Sequence, residues 1–150
     1  MKRQIAKSVT MVLLLTMTLV TAVATANGQS REYVRAHVPF GFIVGDKTLA
    51  AGAYEIVPVG DALSIKRADS KAAVIRLAMT TSPIEKKPAR LVFRRYGNTY
   101  FLSEVWAGGD RVGRRLNESR QERAIKRELS RIATNGASHY EEVVILAIDR

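Results

Sequence analysis

The sequence predicts a mainly β fold, an antiparallel sandwich or open barrel with one amphipathic basic helix in its C-terminal half. Three observations predict it. From Tyr33 the chain alternates, with Val34, Ala36, Val38, Phe40, Phe42 and Val44 on one parity and Arg35, His37, Pro39 and Gly41 on the other, the period of a half-buried strand. Two runs rich in Val, Phe, Tyr and Trp flank Gly97-Asn98, the pattern of a hairpin. From Asn117 charges dominate and apolar residues return at helical spacing.

The first alternating segment contains Pro39, which cannot donate to a ladder, so an edge strand or a break into two short strands is expected there. Gly45-Asp46 reads as a turn. Gly52 precedes a strand through Tyr54-Glu55-Ile56-Val57, and Gly60-Asp61 closes it. Ala62 to Arg67 alternates through Leu63 and Ile65, and Asp69-Ser70 supplies another turn. Ala72 to Thr80 would also suit a helix, but it is short and bounded by turn residues, so it is read as a strand. Residues 81–88 form a loop with Pro83 and Pro88.

The hairpin spans ARLVFRRYGNTYFLSEVW and is followed by AGGDRVG, read as a connector. Strands are thus expected over about 33–106, a helix over about 117–133 and a final strand over about 142–148. Ser119 and Glu122 have capping-box spacing. Ala124, Ile125, Leu129, Ile132 and Ala133 form the apolar stripe, Glu122 stands four residues before Lys126, and Asn135-Gly136 ends the helix. The tail EEVVILAIDR is a continuous apolar run whose exposure would invite aggregation, so it is expected as a buried strand.

The N-terminus has the order of a secretory signal: cationic Lys2, Arg3 and Lys7, an apolar run from Val9 to Val23, and small residues in Ala24-Thr25-Ala26. Cleavage after Ala26 is expected. This makes 1–26 a signal peptide, 27–150 a single β-rich domain, and the location periplasmic or extracellular. The alternative is an uncleaved anchor, because the run approaches the roughly 20 apolar residues that span a bilayer; its threonines and small-residue end disfavour that. After cleavage no transmembrane segment is expected. There is no cysteine, which excludes disulfides, thiol chemistry and a lipidated N-terminus. Losing Lys2, Arg3 and Lys7 lowers the net charge from +10 to +7, which favours polyanions through nonspecific electrostatics.

The stretch VPFGFIVGDKTLAAGAYEIVPVGDALSIKR, followed by LVFRRYGNTYFLSEVW and the charged SRQERAIKRE, resembles an uncharacterised family of small exported bacterial proteins with a PFxFxVGxxxLPAGxYxV block. The match covers most of residues 36–131. Ala50 stands where that family usually has proline, which loosens the turn before Gly52. The resemblance implies export and a β-rich fold. It carries no catalytic residue across.

Candidate chemistry is sparse. Only His37 and His139 could contribute imidazole, so a structural zinc site of the usual kind is excluded and a catalytic one lacks ligands. No GxSxG elbow, SxxK pair or phosphate-binding glycine loop occurs. Asp46, Glu55, Glu104 and Asp110 would have to converge to act as paired carboxylates. Tyr96, Tyr100, Phe101 and Trp106 could form a platform for carbohydrate or peptide, although core and cross-strand pairing is the commoner use of such residues. Arg120, Arg123, Arg127 and Arg131 recur at steps of three and four, so one helix face could present them to an anionic surface.

These features point to a noncatalytic envelope or secreted protein, not an enzyme, that acts by binding or structure without a cofactor. The alternatives are a peripheral binder of anionic membrane or polymer surfaces through Arg120, Arg123, Arg127 and Arg131, and a small hydrolase. An anionic envelope component or another envelope protein is the expected partner; export makes nucleic acid an unexpected one.

Overall fold

A computed structural model of the chain describes residues 33–82, 88–108, 112–132 and 140–149. The chain divides into Met1–Arg31 and Glu32–Arg150, and all described residues belong to the second unit. The signal peptide expected over 1–26, the helix stop at Asn135-Gly136, Ala133, Asp110 and His139 lie outside the described residues.

The protein is mainly β, with one helix among the described residues and a mixed sheet that is not closed. The strands are β1 (Val34–Val38), β2 (Phe42–Val44), β3 (Lys47–Leu49), β4 (Gly52–Val59), β5 (Ala62–Arg67), β6 (Ala73–Thr81), β7 (Arg90–Tyr96), β8 (Thr99–Trp106), β9 (Gly113–Leu116), β10 (Glu141–Leu146) and β11 (Ile148–Asp149). The helix, α1, is Arg120–Ile132 and precedes β10. The main path runs β10-β7-β8-β9-β6-β5-β4-β1-β11, with the β2–β3 hairpin attached to β8.

Most of the order follows from tight turns. Gly60 and Gly97 adopt φ of 57° and 58°, a region that L side chains enter at a cost, and each opens a two-residue connection between antiparallel neighbours. Pro39 divides the first alternating segment into β1 and β2 without changing its phase, so Val38, Phe42 and Val44 all reach the core and Phe40 packs against it. The end strands β10 and β11 are consecutive in the chain, separated by Ala147, whose N–H donates to the Ala89 carbonyl at 2.9 Å. The tail therefore pairs with β7 through one half and with β1 through the other.

One interior cluster draws side chains from β1, β2 and β4 to β9, including Val34, Phe42, Tyr54, Ile56, Leu63, Ile65, Leu91, Phe93, Leu102 and Leu116. Phe42 sits edge-on to both Tyr54 and Phe93, at 5.0 and 5.3 Å between centroids, a geometry that adds about 0.5–1.5 kcal/mol per pair to area burial. A second cluster lies on the opposite side of β2, β7 and β8, where Ile43, Tyr96 and Phe101 are covered by Ile125 and Leu129 of α1 and by Tyr140. Every residue of β2 is consequently buried, because the strand lies between the core and the helix.

Several expectations require correction. A strand, β9, starts at Gly113, the last residue of the expected connector, and Lys47–Leu49 forms β3; both are too short for periodicity to reveal. The single Ile43–Phe101 bridge between β2 and β8 is parallel, whereas an all-antiparallel sheet was expected. Ser103 falls between the paired positions Leu102 and Glu104 as a bulge in β8; its hydroxyl donates to the Val92 carbonyl at 3.0 Å. The tail joins the sheet, but Val144, Leu146 and Ile148 remain exposed and only Val143, Ile145 and Ala147 pack inward. Ala124 and Ile132 of the expected helix stripe are exposed, which leaves Ile125 and Leu129 to make the contact.

Candidate anionic-surface interface

α1 begins where its sequence says it should. The Glu122 N–H donates to Ser119 Oγ at 3.0 Å and the Arg123 N–H to the Ser119 carbonyl at 3.0 Å, so Ser119 is the N-cap. The reciprocal half of the capping box is absent, because the Glu122 side chain turns toward the sheet. Arg94 donates from Nε to Glu122 Oε1 at 2.5 Å and from Nη2 to Oε2 at 3.2 Å. The Glu122 side chain is 2% exposed and that of Arg94 15%. The Tyr96 hydroxyl adds a donor to the same carboxylate at 3.4 Å. Burial, and next the charge of Glu122, push the Tyr96 phenol up to about 12.

The clip sets the rotation of α1 on the sheet. With Glu122 pointing inward, Arg120, Arg123, Arg127 and Arg131 are all exposed. Among the described residues none of the four lies within ion-pair distance of a carboxylate. Arg127 donates from Nε to the Arg123 carbonyl at 3.3 Å, one turn back along the helix. A shallow open concavity of about 500 Å³ is lined by Glu118, Arg120, Arg123, Lys126 and Arg127. Arg131 is not among its lining residues, so three of the four expected residues are brought together and the fourth stands beyond them.

Lys126 is the member that sequence reasoning placed wrongly. It donates to Glu118 at 2.8 Å, not to Glu122, whose carboxylate is taken by Arg94. The hydrogen bond from Lys126 holds the Glu118 carboxyl below its usual range. Glu118 precedes the N-cap, so no helical spacing connects it to Lys126. Arg94 and Glu122, 28 residues apart, are linked only by the docking of α1.

The other candidates are not assembled into a site. Asp46 pairs with Arg76, Glu55 with Arg35 and Glu104 with Arg115, at 3.8, 3.0 and 2.9 Å, on separate parts of the sheet. His37 is exposed on β1, and among the described residues no three of His, Cys, Asp and Glu come together as a metal-holding group. Tyr96, Tyr100, Phe101 and Trp106 form no exposed platform and take the commoner of the two uses weighed for them, core and cross-strand packing. Tyr96 and Phe101 are buried beneath α1, Tyr100 stacks on Phe40 at 3.9 Å, and Trp106 is 8% exposed with Arg90 over its ring. Among the described residues no helix is long and apolar enough to cross a membrane. No protein-family model, curated protein or solved structure matches the chain.

Proposed function

We propose that the chain is a noncatalytic exported protein that binds an anionic surface, membrane headgroups or an acidic envelope polymer, through the outer face of α1. The observation that carries this reading is the row Arg120, Arg123 and Arg127 along one concavity, each exposed and without a carboxylate partner among the described residues. Guanidinium forks suit phosphate and carboxylate groups. The Arg94–Glu122 clip supports it further, since a helix already docked on the sheet presents its cations without the cost of ordering its backbone at binding. Export rests on the basic-then-apolar N-terminus, and a noncatalytic role rests on the dispersal of Asp46, Glu55 and Glu104 into separate ion pairs.

The test is co-sedimentation of the purified protein with vesicles of neutral lipid or of neutral lipid mixed with phosphatidylglycerol, as salt is raised. Binding is expected only to the acidic vesicles and should fall steeply with salt. Replacing Arg120, Arg123 and Arg127 together by Gln should remove about 1 kcal/mol each, roughly a hundredfold in affinity. Retention of binding by that triple variant, or binding indifferent to salt with both acidic lipid and an acidic polysaccharide, would refute the proposal.

A further inference from the structure

The concavity that holds Arg120, Arg123 and Arg127 on α1 also contains a carboxylate. Glu118 lines it together with those arginines and Lys126, and the Lys126 ammonium donates to Glu118 Oε1 at 2.8 Å. The Glu118 carboxyl is held below its usual range, first of all by that hydrogen bond, so it is a full negative charge near neutral pH. Among the described residues the lining therefore sets four cations against one anion. Glu118 differs here from Glu122: the Glu122 side chain is 2% exposed and committed to Arg94, whereas those of Glu118 and Lys126 are 29 and 53% exposed. An ion pair that open is weak, and its members are free to change partners.

We propose that Glu118 is the built-in counter-ion of the anion site: it withholds Lys126 and so reserves binding for densely charged surfaces. The inference rests on the anionic-surface reading of α1. Ser119 caps the helix and thereby holds Glu118, one residue earlier, over the same end of α1 as Arg120 and Arg123. An approaching phosphate or carboxylate has two routes into the concavity. It docks on the three arginines with the Glu118 carboxylate beside it, against like-charge repulsion. Or it takes Lys126, and Glu118 is left unpaired next to the incoming anion. Either route lowers the return from a single contact, so several anionic groups must engage the arginine row together before binding becomes favourable. A surface of sparse charge seldom presents them at once; a dense one does.

The test titrates the purified protein with vesicles of neutral lipid carrying a rising fraction of phosphatidylglycerol. Glu118→Gln should bind about fivefold more tightly and reach half-binding at a lower acidic fraction, because Lys126 becomes a fourth available cation. Glu128→Gln is the control: Glu128 is exposed on α1 but does not line the concavity, and the same change in net charge there should shift affinity less than about twofold. Adding Lys126→Gln to Glu118→Gln should return affinity to within about twofold of wild type, since the pair removed is neutral. Parallel titrations with alginate, an acidic polysaccharide, separate an envelope polymer from a lipid headgroup; the same order of variants on either supports the proposal. Should Glu118→Gln lack the wild-type circular dichroism spectrum, Glu118→Ala replaces it with the same expectation. Equal shifts from Glu118→Gln and Glu128→Gln, or a double variant as tight as Glu118→Gln alone, would overturn the role of Glu118 and leave the anionic-surface reading standing. Absence of binding to both acidic vesicles and alginate by every variant would overturn both.

Discussion

Arg94→Met tests how α1 is held. In the folded protein Glu122 receives both guanidinium bonds and is 2% exposed. Removing Arg94 leaves that carboxylate buried with only the longer Tyr96 contact at 3.4 Å. Breaking a buried pair from one side costs about 3–5 kcal/mol, whereas an exposed pair is worth at most about 1. Against a total stability of about 5–15 kcal/mol, that is a large fraction, and with a urea slope near 2 kcal/mol/M the midpoint should fall by about 2 M. Urea titrations followed by circular dichroism and by Trp106, the single tryptophan, measure both the size of the loss and its location. Adding Glu122→Leu removes the stranded charge and should restore at least about 2 kcal/mol. If Arg94→Met costs less than about 1 kcal/mol, or the double variant is worse than the single one, the carboxylate is not buried beneath the helix and the docking described above is wrong.

Three further outcomes follow from the same geometry. Ser119→Ala removes the acceptor of the Glu122 N–H and should cost about 1 kcal/mol, read from the urea midpoint. Tyr96 has its folded-state pKa raised from 10.0 to about 12, so the neutral phenol is the form the fold favours; stability is fully present below pH 10 and is lost as pH rises toward 12. An alkaline titration in moderate urea should show this loss, and Tyr96→Phe should diminish it. Gly113→Ala would place a methyl 2.7 Å from the Trp106 ring, so the indole must shift at a cost of about 1–3 kcal/mol, visible as altered tryptophan emission together with a lower melting temperature.

Alternation and a Gly-Asx turn were enough to define β4 and β5, β-rich composition around Gly97-Asn98 defined the β7–β8 hairpin, and length with flanking turn residues defined β6, because each of these signals is local. The N-cap at Ser119 was legible for the same reason, since its partner is three residues away. By contrast β3 and β9 are three and four residues long, strands only by virtue of the partners beside them. Of the candidate site, the sequence alone determined that Arg120, Arg123, Arg127 and Arg131 could share a face. Tertiary structure decided which face that was, through Arg94 reaching Glu122 across 28 residues and through Ile43, Tyr96 and Phe101 accepting Ile125 and Leu129. It also decided that the apolar residues of β6 and of the tail divide between core and solvent. Local pattern reports what a side chain prefers within its own turn or strand. Which of its faces is covered depends on elements that arrive from elsewhere in the chain, and neither composition nor spacing carries that information.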